Sequence, residues 1–125
     1  MALARGQLDV AVALIMPLLR TSDDPEYGAI YAEILSARGD RKAASEAERA
    51  AAAYELLLAR RPEAYADHAA AFFMGVGKRP QRAVELALIN RRLRDTPRAR
   101  ALLIKAQHSA QQALAMRSSI CGTKH

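Results

Sequence analysis

Glycine and proline recur along this chain at nearly regular intervals, with alanine-rich segments of helical length between them. Three glycines stand 33 and 38 residues apart, and three prolines stand 37 and 35 residues apart. These residues are Gly6, Gly39 and Gly77, and Pro25, Pro62 and Pro97. Glycine favours the left-handed conformation that ends many helices, and proline favours the first turn of a helix. The spacing therefore predicts a repeating unit of helix, glycine turn, helix and proline turn.

The composition supports an all-α fold. Hydrophobic residues make up 51% of the chain, most of them alanine and leucine, whereas aromatic residues make up only 5%. Alanine and leucine lose little side-chain freedom in a helix, while strands favour β-branched and aromatic residues. A chain of 125 residues suits one domain. We expect a single helical repeat domain over residues 1–117 and a flexible tail over residues 118–125.

The apolar spacing and the breakers together predict six helices. Their approximate bounds are Leu8–Arg20, Glu26–Arg38, Arg41–Arg60, Glu63–Met74, Pro80–Arg94 and Pro97–Met116. In the second helix, an apolar row at helical spacing predicts one buried face. This row consists of Tyr27, Ile30, Tyr31, Ile34 and Leu35. Asp40 is the predicted N-cap of the third helix.

The order of small residues, glycine and proline resembles that of the tetratricopeptide repeat family, whose unit is about 34 residues long. One unit is matched by Ala32, Gly39, Ala44, Ala51 and Pro62, and the next by Ala70, Phe73, Gly77, Ala83 and Pro97. The resemblance implies antiparallel helix pairs stacked as a short right-handed α-solenoid, with about two full repeats and flanking helices. The second helix of the first unit is longer than the family's pattern, and a generic helical bundle is the alternative.

No catalytic or metal-binding motif is recognisable in the sequence. The three histidines, His68, His108 and His125, have neither the HExxH spacing nor a cysteine partner at a zinc-site spacing. The serines stand in no nucleophile-elbow context. We therefore expect a protein without catalytic activity, cofactor or bound metal.

The family resemblance also implies a binding groove. In tetratricopeptide arrays, the first helix of each pair lines a concave trough that holds a peptide or helix of a partner protein. With Gly39 and Gly77 as anchors, six residues are carried over to this trough: Glu26, Glu33, Asp67, Met74, Arg100 and Gln107. The resemblance thus implies an interaction or scaffold module that binds a protein or peptide, with an acidic partner as one expectation.

Positive charge is concentrated in the second half of the chain. Residues 63–125 hold eleven Lys and Arg against four Asp and Glu, whereas residues 1–62 have a net charge of −1. Within this half, Arg91, Arg94 and Arg98 form a predicted basic patch in the stretch "RRLRDTPRAR". Such asymmetry suits an acidic protein or nucleic acid, although a solvated basic helix face is also compatible. Nucleic acid is disfavoured because aromatic residues for base stacking are not interleaved with the cations.

Helix endings explain part of the same stretch. Arg91, Arg92 and Arg94 are predicted in the last turn of the fifth helix, where cations complement the negative end of the helix dipole. Asp95 or Thr96 is the predicted cap of the sixth helix. Arg98 and Arg100 then follow at a helix start, where positive charge is unfavourable, and these two are the better candidates for a functional role.

Two further expectations concern the N-terminal helix. The repeat pattern begins with an unpaired helix, and the apolar face that this leaves open suits a homodimer. The apolar run Val10–Leu19 is too short to span a bilayer and is followed by no small-residue cleavage site. We therefore expect a cytoplasmic protein with no membrane partner.

Overall fold

A computed structural model describes residues 5–122, with side chains described as far as Ser118. These residues form six α-helices and no strand. The helices are α1 (Arg5–Thr21), α2 (Pro25–Ala37), α3 (Lys42–Arg60), α4 (Pro62–Met74), α5 (Pro80–Leu93) and α6 (Pro97–Gly122). The all-α prediction is confirmed, and proline is the first residue of four of the six helices.

The outer ends of the first and last helices differ from the prediction. α1 is helical from Arg5, the first residue that the structure describes, so Gly6 lies inside the helix instead of preceding it. α6 continues to Gly122, and the backbone of residues 118–122 is helical where we predicted a flexible tail. Residues 1–4 and 123–125 of the predicted ranges lie outside the described residues.

The contacts between residues divide the chain into two compact units, with the boundary between Leu57 and Leu58 in α3. We call residues 1–57 unit 1 and residues 58–125 unit 2. The sequence predicted a single repeat domain over this length.

In unit 1, alanine forms the buried face of α2. Ala29, Ala32 and Leu35 are buried, and α2 packs against α1, where Leu8 and Ile15 are buried. In the predicted row of larger apolar residues, only Leu35 is buried; Tyr27, Tyr31 and Ile34 are half-buried and Ile30 is exposed. The prediction of one buried face formed by that row is therefore wrong. Small side chains let two helix backbones approach closely, so the alanines occupy the contact and the larger side chains flank it.

The turn between α2 and α3 agrees with the prediction in detail. Gly39 has a φ of 70°, in the left-handed region that favours glycine. Its N–H donates to the carbonyl of Ser36 at 3.0 Å, and the Asp40 N–H donates to the carbonyl of Leu35 at 2.9 Å, which is the Schellman pattern. The Asp40 carboxylate accepts a hydrogen bond from the Lys42 N–H at 2.9 Å. Asp40 therefore caps the start of α3, as predicted.

In unit 2, α5 packs against both α4 and α6, and α4 also contacts α6. Alanines at these contacts are fully buried: Ala69, Ala70, Ala83, Ala87 and Ala106. Phe73 and Leu86 are the largest fully buried side chains of the unit. Packing of successive helices on small residues is the arrangement of a helical repeat, and the family-pattern positions Ala70, Phe73 and Ala83 all lie in this core.

The turn between α4 and α5 uses glycine for a different reason. The positive φ of this turn, 53°, belongs to Lys78 and not to Gly77. A Cβ on Gly77 would lie 2.8 Å from Cε2 of Phe72 and 2.9 Å from the carbonyl oxygen of Phe72. Gly77 is thus required because the chain passes directly over Phe72, which is itself buried.

Candidate binding cleft

The stretch "RRLRDTPRAR" forms the joint between α5 and α6. Thr96 caps α6, because its Oγ1 accepts a hydrogen bond from the Ala99 N–H at 3.0 Å. Asp95 has a different role, since its two carboxylate oxygens accept from the Arg100 guanidinium. The Nε–Oδ1 distance is 2.8 Å and the Nη2–Oδ2 distance is 3.2 Å. Arg91 Nε lies 3.7 Å from the same Oδ1.

This pairing has an electrostatic consequence. Hydrogen bonds from Arg100 lower the pKa of the Asp95 carboxyl below its usual value, and the charges of Arg100 and Arg91 act in the same direction. Partial desolvation opposes them. The Asp95 hydrogen bonds and charge correspondingly raise the pKa of Arg100. Arg100 therefore has an intramolecular partner at the joint, which explains a cation at an otherwise unfavourable helix start.

Arg94 links the end of α5 to the start of α4. Its Nη2 donates a hydrogen bond to the carbonyl oxygen of Glu63 at 2.9 Å. Its own N–H donates to the carbonyl of Asn90 at 2.9 Å. The Arg94 side chain is thereby directed towards the start of α4, beside the first turns of α6.

A cleft of about 430 Å³ occupies this space in unit 2. Its lining residues come from α4, the end of α5 and the first half of α6: Asp67, His68, Ala71, Asn90, Arg94, Thr96, Arg98, Ala99, Ala101, Leu102 and Lys105. We call it the basic cleft. Asn90 and Ala99 are its buried members and form the floor, whereas Arg94, Arg98 and Lys105 are exposed and form the rim.

The charges around the basic cleft are strongly unequal. Arg94, Arg98 and Lys105 contribute three permanent cations, and Asp67 is the one carboxylate among the lining residues. The Oδ1 of Asp67 accepts a hydrogen bond from the His68 N–H at 2.7 Å and lies 3.8 Å from His68 Nε2. The one acid among the lining residues therefore contacts its neighbour on α4. The charged lining residues of α6, Arg98 and Lys105, are both cations.

The basic cleft brings together three of the nine residues predicted as sites: Asp67, Arg94 and Arg98. Arg91, Arg100, Gln107 and Met74 also belong to unit 2 but do not line it; Met74 is half-buried at the end of α4. Glu26 and Glu33 belong to α2 of unit 1, where both are exposed. The cleft also contains His68, Asn90 and Lys105, which were not predicted as site residues.

The register of α6 explains why Arg98 and Lys105 line the cleft and the predicted groove residues Arg100 and Gln107 do not. Ala99, Leu103, Ala106 and Ala110 are buried at the spacing i, i+4, i+7 and i+11, so this row faces the helices beside it. The cleft face is the adjacent strip of α6, with Arg98, Ala101, Leu102 and Lys105. Family positions were carried over from glycine anchors, and no such glycine turn fixes the register of α6. The helical spacing of Arg98, Leu102 and Lys105 is the signal that indicates this strip.

Unit 1 contains a second hollow, of about 390 Å³, between the end of α1, the start of α2 and the middle of α3. Its charged lining residues have both signs: Arg20, Arg49, Asp23, Asp24 and Glu46. Mixed charges of this kind favour neither an acidic nor a basic ligand. Of the two hollows, only the basic cleft therefore indicates the charge of its ligand.

Two features are absent from the described part of the chain, a cluster of metal ligands and a membrane-spanning helix. Among its side chains, no group of three or more His, Cys, Asp or Glu is placed to hold a metal ion. None of the helices that the structure describes is long and apolar enough to cross a bilayer. No protein-family model, curated protein or solved structure matches the sequence or the fold.

Proposed function

We propose that this protein is a non-catalytic interaction module whose basic cleft binds an acidic segment of a partner protein. The observation that carries the proposal is the set of three exposed cations, Arg94, Arg98 and Lys105, that line a cleft with Asn90 and Ala99 buried in it. The tetratricopeptide-like spacing of the sequence supports it, because helices of such arrays present partner-binding grooves. A scaffold role and the predicted cytoplasmic location stay predictions.

The rim of the cleft is chemically suited to carboxylates. Arginine presents a planar fork of N–H donors that matches a carboxylate, and lysine adds a flexible point charge. Arg94 is already held by the Glu63 carbonyl through Nη2, so part of the entropy cost of ordering its side chain is removed before binding. Exposed cations of this kind act mainly on the association rate and on partner choice.

The floor supplies the rest of the recognition. Asn90 carries an amide that both donates and accepts hydrogen bonds, which allows it to orient a peptide group of the partner. Ala71, Ala101 and Leu102 add apolar surface on both sides of the cleft. Ligand sites typically occupy about 300–1,000 Å³, so a cleft of about 430 Å³ suits a few side chains of a partner segment.

Nucleic acid is the second candidate, and the charge of unit 2 favours it. Residues 58–125 hold thirteen Lys and Arg against four Asp and Glu, a net charge of +9. Phosphate contacts need only such cations. However, Phe72 and Phe73 are buried and Tyr65 is half-buried, so the described aromatic side chains of unit 2 provide no open stacking platform. We therefore rank an acidic protein segment first.

A binding titration on the full chain tests the proposal. The probes are a fluorescent peptide rich in glutamate and leucine and a fluorescent single-stranded oligonucleotide. We expect Arg98→Glu with Lys105→Glu to weaken peptide binding about tenfold by reversing two rim charges. The matched control, Arg92→Glu with Arg117→Glu, changes the net charge equally at exposed positions outside the cleft.

Two results would contradict the proposal. Equal losses in the cleft variant and the control would show that only net charge matters. Tighter binding of the oligonucleotide than of the peptide would support the nucleic-acid function instead. The logarithm of its binding constant should then fall steeply and linearly with the logarithm of the salt concentration.

A further inference from the structure

Asn90 is a buried polar residue whose side chain has no partner among the residues that the structure describes. It is 8% exposed and lines the basic cleft. Its main-chain carbonyl accepts from the Arg94 N–H, whereas its side-chain amide makes no hydrogen bond within the described chain. A buried amide without a partner costs free energy, so it needs an explanation. No side-chain nitrogen or oxygen that is sealed from the surface lacks a partner in this part of the chain, so the Asn90 amide opens into the cleft.

The first turn of α6 adds a free main-chain donor to the same cleft. The Ala99 N–H donates to Thr96 Oγ1, and the Arg100 N–H donates to the Thr96 carbonyl. Pro97 has no N–H, and the N–H of Arg98 has no partner among the described residues. The N–H groups of a first turn point out of the helix start, where the helix dipole favours an anion. This end of the cleft therefore favours a negatively charged group.

Two arginines carry unused guanidinium donors at this end of the cleft. The Arg98 guanidinium has neither an ion pair nor a hydrogen bond within the described chain. Arg94 uses Nη2 for the Glu63 carbonyl and keeps its other N–H groups. Arg94 is the C-cap of α5 and Arg98 lies in the first turn of α6, so only the short turn between these helices separates them. Both line the cleft, and we expect one anion to accept hydrogen bonds from both.

The arrangement and charge of these donors distinguish between kinds of anion. The Asn90 amide is buried, the Arg98 N–H lies at the helix start, and the guanidinium groups are exposed. A carboxylate accepts through two oxygens in one plane, whereas a phosphoryl group accepts through three oxygens that point in different directions. Three cations and one carboxylate give the cleft lining a net charge of +2 with His68 neutral. A phosphoryl group carries a charge of about −1.5 to −2, so it balances this excess, and a single carboxylate balances only part of it.

From these observations we propose that the end of the basic cleft with Asn90, Arg94 and Arg98 binds a phosphorylated side chain of the partner segment. The inference rests on the function proposed for the cleft and names the group that the acidic segment presents there. Arginine pairs with phosphate through two parallel hydrogen bonds. The Asn90 amide donates to the innermost phosphoryl oxygen, which removes the cost of leaving the amide unpaired.

Lys105 extends the site along α6. It stands seven residues from Arg98, which is about two turns and about 10 Å along the helix, and both residues line the cleft. Lys105 also has no partner within the described chain. An extended segment advances about 3.3 Å per residue, so it covers this distance in about three residues. We therefore expect an acidic residue about three positions from the phosphorylated one.

Three fluorescent peptides test the inference on the full chain. They are rich in glutamate and leucine and differ only at one central residue, which is phosphoserine, glutamate or serine. Anisotropy titrations at about pH 7.5, where the phosphoryl group is close to dianionic, give the dissociation constants. We expect the phosphoserine peptide to bind about tenfold more tightly than the glutamate peptide. Equal affinities of these two would overturn the phosphoryl inference and leave the acidic-segment function standing, whereas no binding of any of the three would overturn both.

Substitutions in the cleft separate phosphoryl recognition from general charge attraction. Arg98→Gln removes an exposed cation, and Asn90→Ala removes the amide without adding bulk. We expect each variant to reduce the tenfold preference for the phosphoserine peptide to about two- to threefold. Arg92→Gln is the matched control, because Arg92 is exposed in the last turn of α5 and lies outside the cleft lining. An unchanged preference in Arg98→Gln, or an equal loss in Arg92→Gln, would overturn the proposal.

A phosphorylated end of a nucleic acid is another source of the same group. Unlabelled phosphoserine peptide and a single-stranded oligonucleotide with a 5′-phosphate are therefore compared as competitors of the fluorescent phosphoserine peptide. We expect the unlabelled peptide to displace the probe at the lower concentration. If the oligonucleotide does so, and does so only with its 5′-phosphate, the phosphoryl group belongs to a nucleic acid and the proposal is wrong.

Discussion

Asp95 and Arg100 are joined by two hydrogen bonds of 2.8 and 3.2 Å across the start of α6. This pair explains one arginine of the most prominent basic stretch, because it gives Arg100 an intramolecular partner, while Thr96 caps the helix. Of the two arginines at the helix start that the sequence indicated as functional, Arg98 lines the basic cleft and Arg100 does not.

The first prediction concerns the pH dependence of this pair. Arg100 lowers the pKa of Asp95 in the folded chain, so the pair stabilises the fold above the usual aspartate pKa. That contribution is lost as the pH falls through the lowered pKa. We expect Arg100→Gln to raise the Asp95 pKa in a carboxyl-carbon NMR titration, with Asp95→Asn used to assign the resonance. An unchanged Asp95 titration in Arg100→Gln would contradict the pairing.

The second prediction concerns the cap of α6. Replacing Thr96 by alanine removes the hydroxyl that accepts from the Ala99 N–H, and we expect the free energy of unfolding to fall by about 1 kcal/mol. Urea unfolding followed by circular dichroism measures the change. Thr96→Ser keeps the hydroxyl and should cost much less, and equal losses in both variants would show that the methyl group, not the cap, is responsible.

The third prediction separates two roles of glycine. A methyl group on Gly77 meets the ring and the carbonyl oxygen of Phe72 within 3 Å, so Gly77→Ala should lower the free energy of unfolding by about 1–3 kcal/mol. Gly6 lies inside α1 with open space around it, and Gly6→Ala should instead stabilise by about 0.5–1 kcal/mol. The same urea measurement gives both values, and effects of the same sign would contradict this account.

The helix boundaries could be predicted from the sequence because they depend on local chemistry. Proline fixes φ at a helix start. Gly39 adopts the left-handed conformation at low cost because it has no side chain, and this does not depend on the rest of the fold. Asp40 and Thr96 cap their helices through neighbours only two or three positions away. None of these features requires knowledge of which helices are neighbours in the fold.

The buried face of α2 and the cleft face of α6 depend on tertiary neighbours, and the sequence did not specify them. On α2, helical spacing fits both the tyrosine and isoleucine row and the alanine row, and close approach of the helices selects the alanines. On α6, burial of the row from Ala99 to Ala110 fixes the rotation of the helix about its axis. Arg98 and Lys105 then line the cleft, and Arg100 and Gln107 lie outside it. Each cleft residue stands two positions from its predicted counterpart, so a rotation of nearly half a turn separates the predicted groove from the observed cleft.

The last prediction concerns the one carboxylate among the residues that line the basic cleft. Asp67 repels an acidic ligand, and Asp67→Asn removes the charge while its amide oxygen still accepts from the His68 N–H. We expect Asp67→Asn to bind the acidic peptide several-fold more tightly, chiefly through faster association, since a charge of this size mainly affects steering. Glu63→Gln is the matched control, because it removes a carboxylate from the same helix outside the cleft lining. Stopped-flow fluorescence gives the association rates, and an equal gain in both variants would mean that the whole field of unit 2, not the cleft, attracts the peptide.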